Sequence, residues 1–181
     1  IVTYFPNIDL EAASRGRFRS RYWESLHDVL NEEARREGGH FVRWLFIRFP
    51  QPGLSLDQCI SLRDSFRKKG EDGASFDYLE EYLAHGDLWR GLGRWFGLCV
   101  TSLGAEKKVR QAFCLAGSKM NFWLYAKKDW AESFRGWRCL ERALQYLAFA
   151  RHARKTGAMR FNLFPLENCP WERMLTVAAR T

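Results

Sequence analysis

The sequence predicts an α/β fold, with a parallel sheet in the first part of the chain and a large helical segment in the second half. Over residues 1–73, two stretches rich in β-formers alternate with two amphipathic helical stretches, which is the order that builds a parallel sheet. Large apolar side chains then recur at helical spacing through residues 74–157. A short apolar stretch and a helix start over residues 158–181 predict the opening of a second domain.

The first strand and the first long helix are predicted by composition and spacing. Residues 1–6 are mostly β-branched or aromatic, which predicts a buried strand. Apolar residues at helical spacing from Trp23 onward predict a helix that runs to about Arg36 and ends at Gly38. Residues 41–49 are dense in β-formers and predict the second strand.

A capping motif marks the next helix. Ser55 is followed three residues later by Gln58, a capping box that predicts a helix running to about Lys69. Residues 1–73 are therefore predicted to form a βαβα unit. No GxGxxG and no GxxxxGK[ST] motif occurs, so neither a dinucleotide fingerprint nor a phosphate-binding P-loop is supported.

The second half is predicted to be helical. Residues 75–83 form the first predicted helix, and helical spacing continues beyond residue 87. A long segment, residues 119–155, carries an apolar stripe that predicts a buried face, and Gly136 is expected to weaken or kink it. The stripe consists of Trp123, Trp130, Phe134, Trp137, Leu144 and Leu147.

The closing stretch predicts a strand, a polar hinge and a helix. Residues 159–165 are expected to be a short buried strand, and Pro170 suits the first position of the helix that follows. The hinge, residues 167–170, would then lie where a parallel sheet presents its carboxyl edge to a ligand. Because the chain starts inside one predicted strand and stops inside a predicted helix, we expect it to be a segment of a longer protein.

Composition restricts the chemistry and the partners. The 181 residues carry a formal charge of +8 with a pI near 9.5, which favours anionic partners. The five cysteines form no CxxC pair, which indicates reduced thiols in a cytosolic protein. The four histidines have no ligand-like spacing, so the sequence predicts no metal site. No cofactor is expected either. No apolar run reaches the roughly 18 residues of a membrane span.

A basic cluster precedes the first long helix. Residues 15–21 contain four Arg in seven positions and no acid. Guanidinium groups close to a helix start can bind phosphate or carboxylate through forked donors. A solvated basic turn accounts for the same cluster equally well, because the sequence does not show whether the arginines converge.

Two short motifs resemble those of one family. Residues 16–23 (GRFRSRYW) and 166–175 (LENCPWERML) resemble bacterial surface-carbohydrate biosynthesis proteins. These glycosyltransferase-like proteins are similar in architecture to capsule Kdo transferases and polymer glycerophosphotransferases of the GT-B type. Cys169 stands where the family motif has Gln, which puts a side-chain hydrogen bond from that position in doubt. Family members are much longer than this chain.

The resemblance implies an architecture and a set of site residues. Two Rossmann-like domains would face a cleft, with residues 1–73 in one and residues 158–181 opening the other, and the C-terminal one would hold most of the nucleotide-sugar donor. Glu167 would accept hydrogen bonds from sugar or ribose hydroxyls, or act as a base. The implied substrate-binding residues are Arg17, Arg19, Arg21, Asn168, Trp171 and Glu172. Packing into the core is the alternative for Trp171, and stabilisation of the helix dipole is the alternative for Glu172.

The functional expectation is a cytoplasmic glycosyltransferase of capsule or lipopolysaccharide assembly. Its donor would be a nucleotide-sugar and its acceptor a glycan or a lipid-linked sugar, with no specific nucleic acid. Its basic charge would favour peripheral contact with the anionic inner face of the inner membrane. Two alternatives stay open: a basic helical module that binds nucleic acid, and a non-catalytic scaffold of the same pathway.

Overall fold

A computed structural model describes residues 1–5, 7–38, 42–49, 53–68, 74–117, 120–157, 161–167 and 169–180. The chain divides into two compact units. The first comprises Ile1–Tyr82 and Thr156–Asn168, and the second comprises Leu83–Lys155 and Cys169–Thr181.

The first unit contains a parallel three-stranded sheet. Its strands are β1 (Val2–Phe5), β2 (Val42–Arg48) and β3 (Ala74–Tyr78), paired in that order. The elements between and after them are α1 (Leu10–Ser14), α2 (Leu26–Glu37), α3 (Leu56–Lys68) and a 3-10 turn (Leu79–Tyr82). The sequence-based prediction of an α/β fold with parallel strands is thus confirmed.

The central strand explains why the sheet forms. Four consecutive residues of β2, 44–47, are buried, so side chains on both faces of the strand are removed from water. Such runs are typical of parallel strands, which are covered on both faces. One face contributes Trp44 and Phe46 to a core that also includes Phe5, Phe66 and Phe76. The apolar sequence of β2 therefore fixes its place between its two neighbours.

The helix predicted over residues 75–83 is wrong. The structure places strand β3 there, followed by the 3-10 turn. Phe76 and Tyr78 alternate into the core, and Trp44 of β2 pairs with Phe76. The helical spacing of Phe76, Leu79 and Leu83 was misleading because a five-residue strand is decided by its pairing partner rather than by local spacing.

The second unit is built from helices. They are α4 (His85–Ala112), α5 (Trp123–Phe134), α6 (Trp137–Thr156) and α7 (Pro170–Ala178). The expected break at Gly136 is confirmed, since the Arg135 and Gly136 N–H groups both donate to the Ala131 carbonyl. The predicted core position of Trp137 is wrong, because this side chain is 72% exposed. The break changes the helix phase, so the spacing from α5 does not carry over into α6.

The predicted closing strand is not present in the described residues. Residues 161–165 do not join the sheet, although the Val2 N–H donates to the Leu163 carbonyl at 2.9 Å. Pro165 lacks the N–H that a strand needs to continue its ladder. Met159 and Arg160 lie outside the described residues. The helix start at Pro170 is confirmed, and the three-domain organisation stays a prediction.

None of the helices that the structure describes is both long and apolar enough to cross a membrane.

Candidate functional site

The arginines of the basic cluster lie on a segment that pairs with the residues directly after β1. Gly16 takes a left-handed φ of 75°, which turns the chain out of α1. The Asp9 N–H then donates to the Arg19 carbonyl at 2.8 Å, and the Arg21 N–H donates to the Asn7 carbonyl at 3.0 Å. The segment is therefore held at the carboxyl end of a parallel strand.

Along residues 17–21, side chains that pack into the core alternate with exposed arginines. Phe18 packs against the rings of Trp44 and Phe76, with centroid distances of 4.7 and 5.0 Å. Phe18 is partly buried, and Ser20 is fully buried. Because alternate side chains of an extended segment point to opposite sides, the anchoring of residues 18 and 20 turns the odd-numbered residues outward. We call the exposed set Arg17, Arg19 and Arg21 the arginine face.

The charge of the arginine face is little compensated locally. None of its three side chains forms a salt bridge with a residue that the structure describes. The nearby carboxylate is Asp9, whose pKa is lowered mainly by the backbone N–H of Ala12, with further contributions from Glu11, Arg19 and Arg21. Arg15 is different, because it pairs with Glu11 within one helical turn. The three arginines thus present positive charge to solvent.

The two motifs that carry the family resemblance meet at one hydrogen bond. The hydroxyl of Tyr22, the residue after Arg21, donates to Oε1 of Glu167 at 2.6 Å. Tyr22 is itself positioned by its backbone N–H, which donates to Ser20 Oγ at 3.2 Å. Both members of the pair are exposed. Glu167 is therefore held against the side chain of Tyr22, the residue that follows Arg21, and it is open to a ligand from solvent.

A cavity lies at the carboxyl ends of the other two strands. It has a volume of about 460 Å³, and we call it the sheet-edge cavity. Arg48 ends β2 and Tyr78 ends β3, and both line the cavity. Its other lining residues are Leu56, Ile60, Arg63, Glu80 and Glu81. Ligands of parallel sheets bind outside the carboxyl ends of the strands, so this cavity lies in the expected place.

The polar groups of the sheet-edge cavity are fixed by one another. Arg63 is buried, pairs with Glu81 and lies 5.4 Å from the centre of the Tyr78 ring. The Tyr78 hydroxyl donates to the Cys59 carbonyl at 2.9 Å. Burial raises the pKa of Tyr78 far above its usual value, so this phenol stays neutral. The cavity offers a rigid wall with both signs of charge.

This cavity was missed from the sequence. Glu80 and Glu81 fall within the helix predicted over residues 75–83, where adjacent side chains would diverge, but they lie in the 3-10 turn and both line the cavity. The available signal was the acidic pair directly after an alternating stretch of aromatic residues. Because a helix was predicted for that stretch, the acidic pair was not recognised as part of a site.

No known protein family, curated protein or solved structure matches this chain. The site is therefore interpreted from its own geometry.

Two predicted binding residues have structural contacts within the second unit. Trp171 is buried and stacks on Phe149 with ring centroids 6.5 Å apart. Glu172 is also buried, and its Oε1 accepts the Cys169 N–H at 3.1 Å, which caps α7. These contacts agree with the alternatives of core packing and helix stabilisation. Asn168 lies outside the described residues, and ligand binding by these three residues stays a prediction.

The histidines and the metal-ligating side chains give no second site in the described part of the chain. No group of three or more His, Cys, Asp or Glu side chains there is placed to hold a metal ion. His27 is buried between two partners: its Nδ1 accepts the indole N–H of Trp44 at 2.9 Å, and its Nε2 lies 3.0 Å from the Asn31 amide nitrogen. This histidine is part of the core.

Proposed function

We propose that this chain is part of a GT-B-like glycosyltransferase of bacterial surface-carbohydrate biosynthesis that uses a nucleotide-sugar donor. The observation that supports this proposal best is the hydrogen bond between Tyr22 and Glu167, 2.6 Å long. It joins the acidic motif to the basic motif, which the sequence separates by 145 positions. A carboxylate that can act as a base and positive charge that stabilises a phosphate leaving group would both serve transfer from a nucleotide-sugar.

The arginine face would take the anionic part of the reaction. Arg17, Arg19 and Arg21 would hold the phosphate of the donor, or an anionic acceptor, through forked hydrogen bonds. As the bond from the donor's anomeric carbon to the phosphate oxygen breaks, the nucleotide leaves with the bonding electron pair. Positive charge nearby stabilises that leaving group.

Glu167 would act on a hydroxyl group. As a base it would take the proton of the acceptor hydroxyl while that oxygen bonds to the anomeric carbon. The Tyr22 hydroxyl would orient the carboxylate for this step. In this reaction capsule or lipopolysaccharide sugars would be added to a glycan or a lipid-linked acceptor, and no cofactor would be consumed. The proposed location is the cytoplasm, at the inner face of the inner membrane.

A ligand panel tests the proposal. The intact protein is heated with different nucleotides and nucleotide-sugars, and the midpoint of unfolding is followed. A ligand at 100 times its Kd stabilises by about 2.7 kcal/mol, so a true donor raises the midpoint by several degrees. The Arg19→Gln variant should lose most of this shift, and Arg36→Gln, on the exposed end of α2, should keep it. No shift with any nucleotide or nucleotide-sugar would contradict the proposal.

The rival proposal of nucleic-acid binding is favoured by one observation, the exposed arginine face on a chain of charge +8. Three phosphate contacts predict that the logarithm of the binding constant falls with log salt at a slope of about −2 to −3. The Arg17→Gln, Arg19→Gln, Arg21→Gln triple variant would abolish this slope. Such a result, together with an absence of nucleotide-sugar binding, would favour the rival.

A further inference from the structure

The second unit contains a cavity that the proposed reaction does not use. It has a volume of about 500 Å³ and lies along α4 and α6. Its lining residues are Asp87, Arg90, Gly93, Arg94, Leu147, Ala150, Arg151 and Arg154. We call it the arginine cavity. Four guanidinium groups and one carboxylate give the lining a strongly positive charge.

The single carboxylate of the lining is already neutralised by fixed partners. Asp87 is 2% exposed, and its two oxygens accept hydrogen bonds from Arg151 at 2.7 and 2.8 Å. Oδ2 also accepts the Ala84 N–H at 2.8 Å. Asp87 therefore holds the Arg151 guanidinium in one orientation, and Arg90 lies 3.5 Å from its Oδ1, so that one carboxylate faces four guanidinium groups.

A second arginine is held by an aromatic ring. The guanidinium carbon of Arg94 lies 5.1 Å from the centre of the Tyr146 ring, a cation–π contact that favours one orientation of the side chain. Arg94 and Arg154 form no salt bridge with the residues that the structure describes. Arg151 and Arg94 are thus oriented by fixed contacts, and they share the cavity with the exposed side chains of Arg90 and Arg154. Like charges that line one cavity repel each other, and an anion bound between them relieves this repulsion.

We propose that the arginine cavity binds the phosphate or diphosphate group of an anionic ligand. Arginine forks match phosphate oxygens in pairs, and orienting them before binding reduces the entropy that binding costs. The volume lies within the range of small-molecule sites, about 300–1,000 Å³, and exceeds what one phosphate fills. Leu147 and Ala150 supply an apolar wall for the remainder of the ligand. The proposal rests on the second unit alone and does not depend on glycosyl transfer.

Glycines on α4 provide a substitution that tests the site without removing any contact. A Cβ atom at Gly93 meets nothing within 4 Å, so the backbone there accepts a side chain and Gly93→Glu adds a carboxylate at the cavity wall. The change also raises helix propensity, so the fold is not weakened. Gly104 has equally open surroundings. It lies about 16 Å further along the helix, beyond the screening length at physiological salt, so Gly104→Glu is the matched control.

The experiment measures pyrophosphate binding by titration calorimetry on the intact protein. The background carries the Arg17→Gln, Arg19→Gln, Arg21→Gln substitutions, so that the arginine face does not contribute. We expect Gly93→Glu, and separately the Arg90→Gln, Arg154→Gln double variant, to weaken binding by about tenfold or more. Gly104→Glu should change the dissociation constant less than about twofold. Equal binding by the Gly93→Glu and Gly104→Glu variants would overturn the proposal.

A second arm separates a free ligand from a lipid headgroup. The same variants are tested for flotation with phosphatidylcholine vesicles that contain or lack phosphatidic acid. Binding to phosphatidic acid that Gly93→Glu abolishes, without binding of free pyrophosphate, supports the site and identifies its ligand as a headgroup. Binding of pyrophosphate alone supports a soluble ligand. Failure of both probes to bind the parent protein refutes the site.

Discussion

Among the residues of the second unit, Asp87 is the one whose substitution should lower the free energy of unfolding most clearly. It is 2% exposed, caps the start of α4 through the Ala84 N–H, and binds Arg151 through both oxygens. Asp87→Ala removes these hydrogen bonds together and leaves the Ala84 N–H and the Arg151 guanidinium without their acceptor. The helix start is then weakened at the same time as the contact between α4 and α6.

The cost of Asp87→Ala follows from these contacts. The lost backbone hydrogen bond at a helix start costs about 1 kcal/mol. The lost pair with Arg151 costs a further 1–2 kcal/mol, the low end for a charged hydrogen bond, because the Arg151 side chain is 40% exposed and screened by water. We therefore expect the free energy of unfolding to fall by about 2–3 kcal/mol. In a unit of this size the melting temperature should fall by about 10–20 °C.

Urea unfolding followed by circular dichroism checks this expectation. Asp129→Ala is the matched control, because Asp129 is an exposed aspartate on α5 of the same unit. Its change should stay within about 0.5 kcal/mol. Asp87→Asn should be intermediate, since its amide oxygen still accepts from Ala84 but carries no charge for Arg151. An Asp87→Ala variant as stable as Asp129→Ala would refute the reasoning.

Two further predictions concern acid stability and the arginine segment. The backbone N–H of Ala84, followed by Arg151, holds the pKa of Asp87 below its usual value. Its stabilisation is therefore present above about pH 4 and is lost as the pH falls through the folded-state pKa, so Asp87→Asn should flatten an acid titration of stability in that window. In the first unit, Phe18→Ala should cost about 3 kcal/mol in urea unfolding, because Phe18 contacts the rings of Trp44 and Phe76. Arg19→Ala, one position on and exposed, should cost less than about 0.5 kcal/mol, and equal costs for the two would contradict the alternating burial.

Sequence patterns correctly predicted the elements whose conformation depends on residues close to one another in the chain. The capping box at Ser55 and Gln58 is present, with the Gln58 N–H donating to Ser55 Oγ at 3.2 Å, and α3 follows it. The apolar run of β2 predicted its strand in the same way. Strand β3 was missed because its conformation is set by pairing with β2, and the sequence of β3 alone also fits a helix.

The candidate site was predicted only in part, for a different reason. The three arginines were singled out by the density of Arg in residues 15–21. Their alternation with Phe18 and Ser20, which indicates an extended segment, was not used. The contact between Tyr22 and Glu167 had no local signal, because the two residues are 145 positions apart. Neither cavity was predicted, because each is formed by side chains from separate elements.

The most direct test of the central proposal is the transfer rate of the Glu167→Gln variant in the intact protein. With the nucleotide-sugar that the ligand panel identifies, the account predicts a fall in kcat of about 100-fold or more, as expected for loss of a general base. Tyr22→Phe should give a smaller fall with the same substrate, and Glu141→Gln, an exposed glutamate on α6, should leave kcat unchanged. A Glu167→Gln variant that folds normally and transfers sugar at the parent rate would contradict the account.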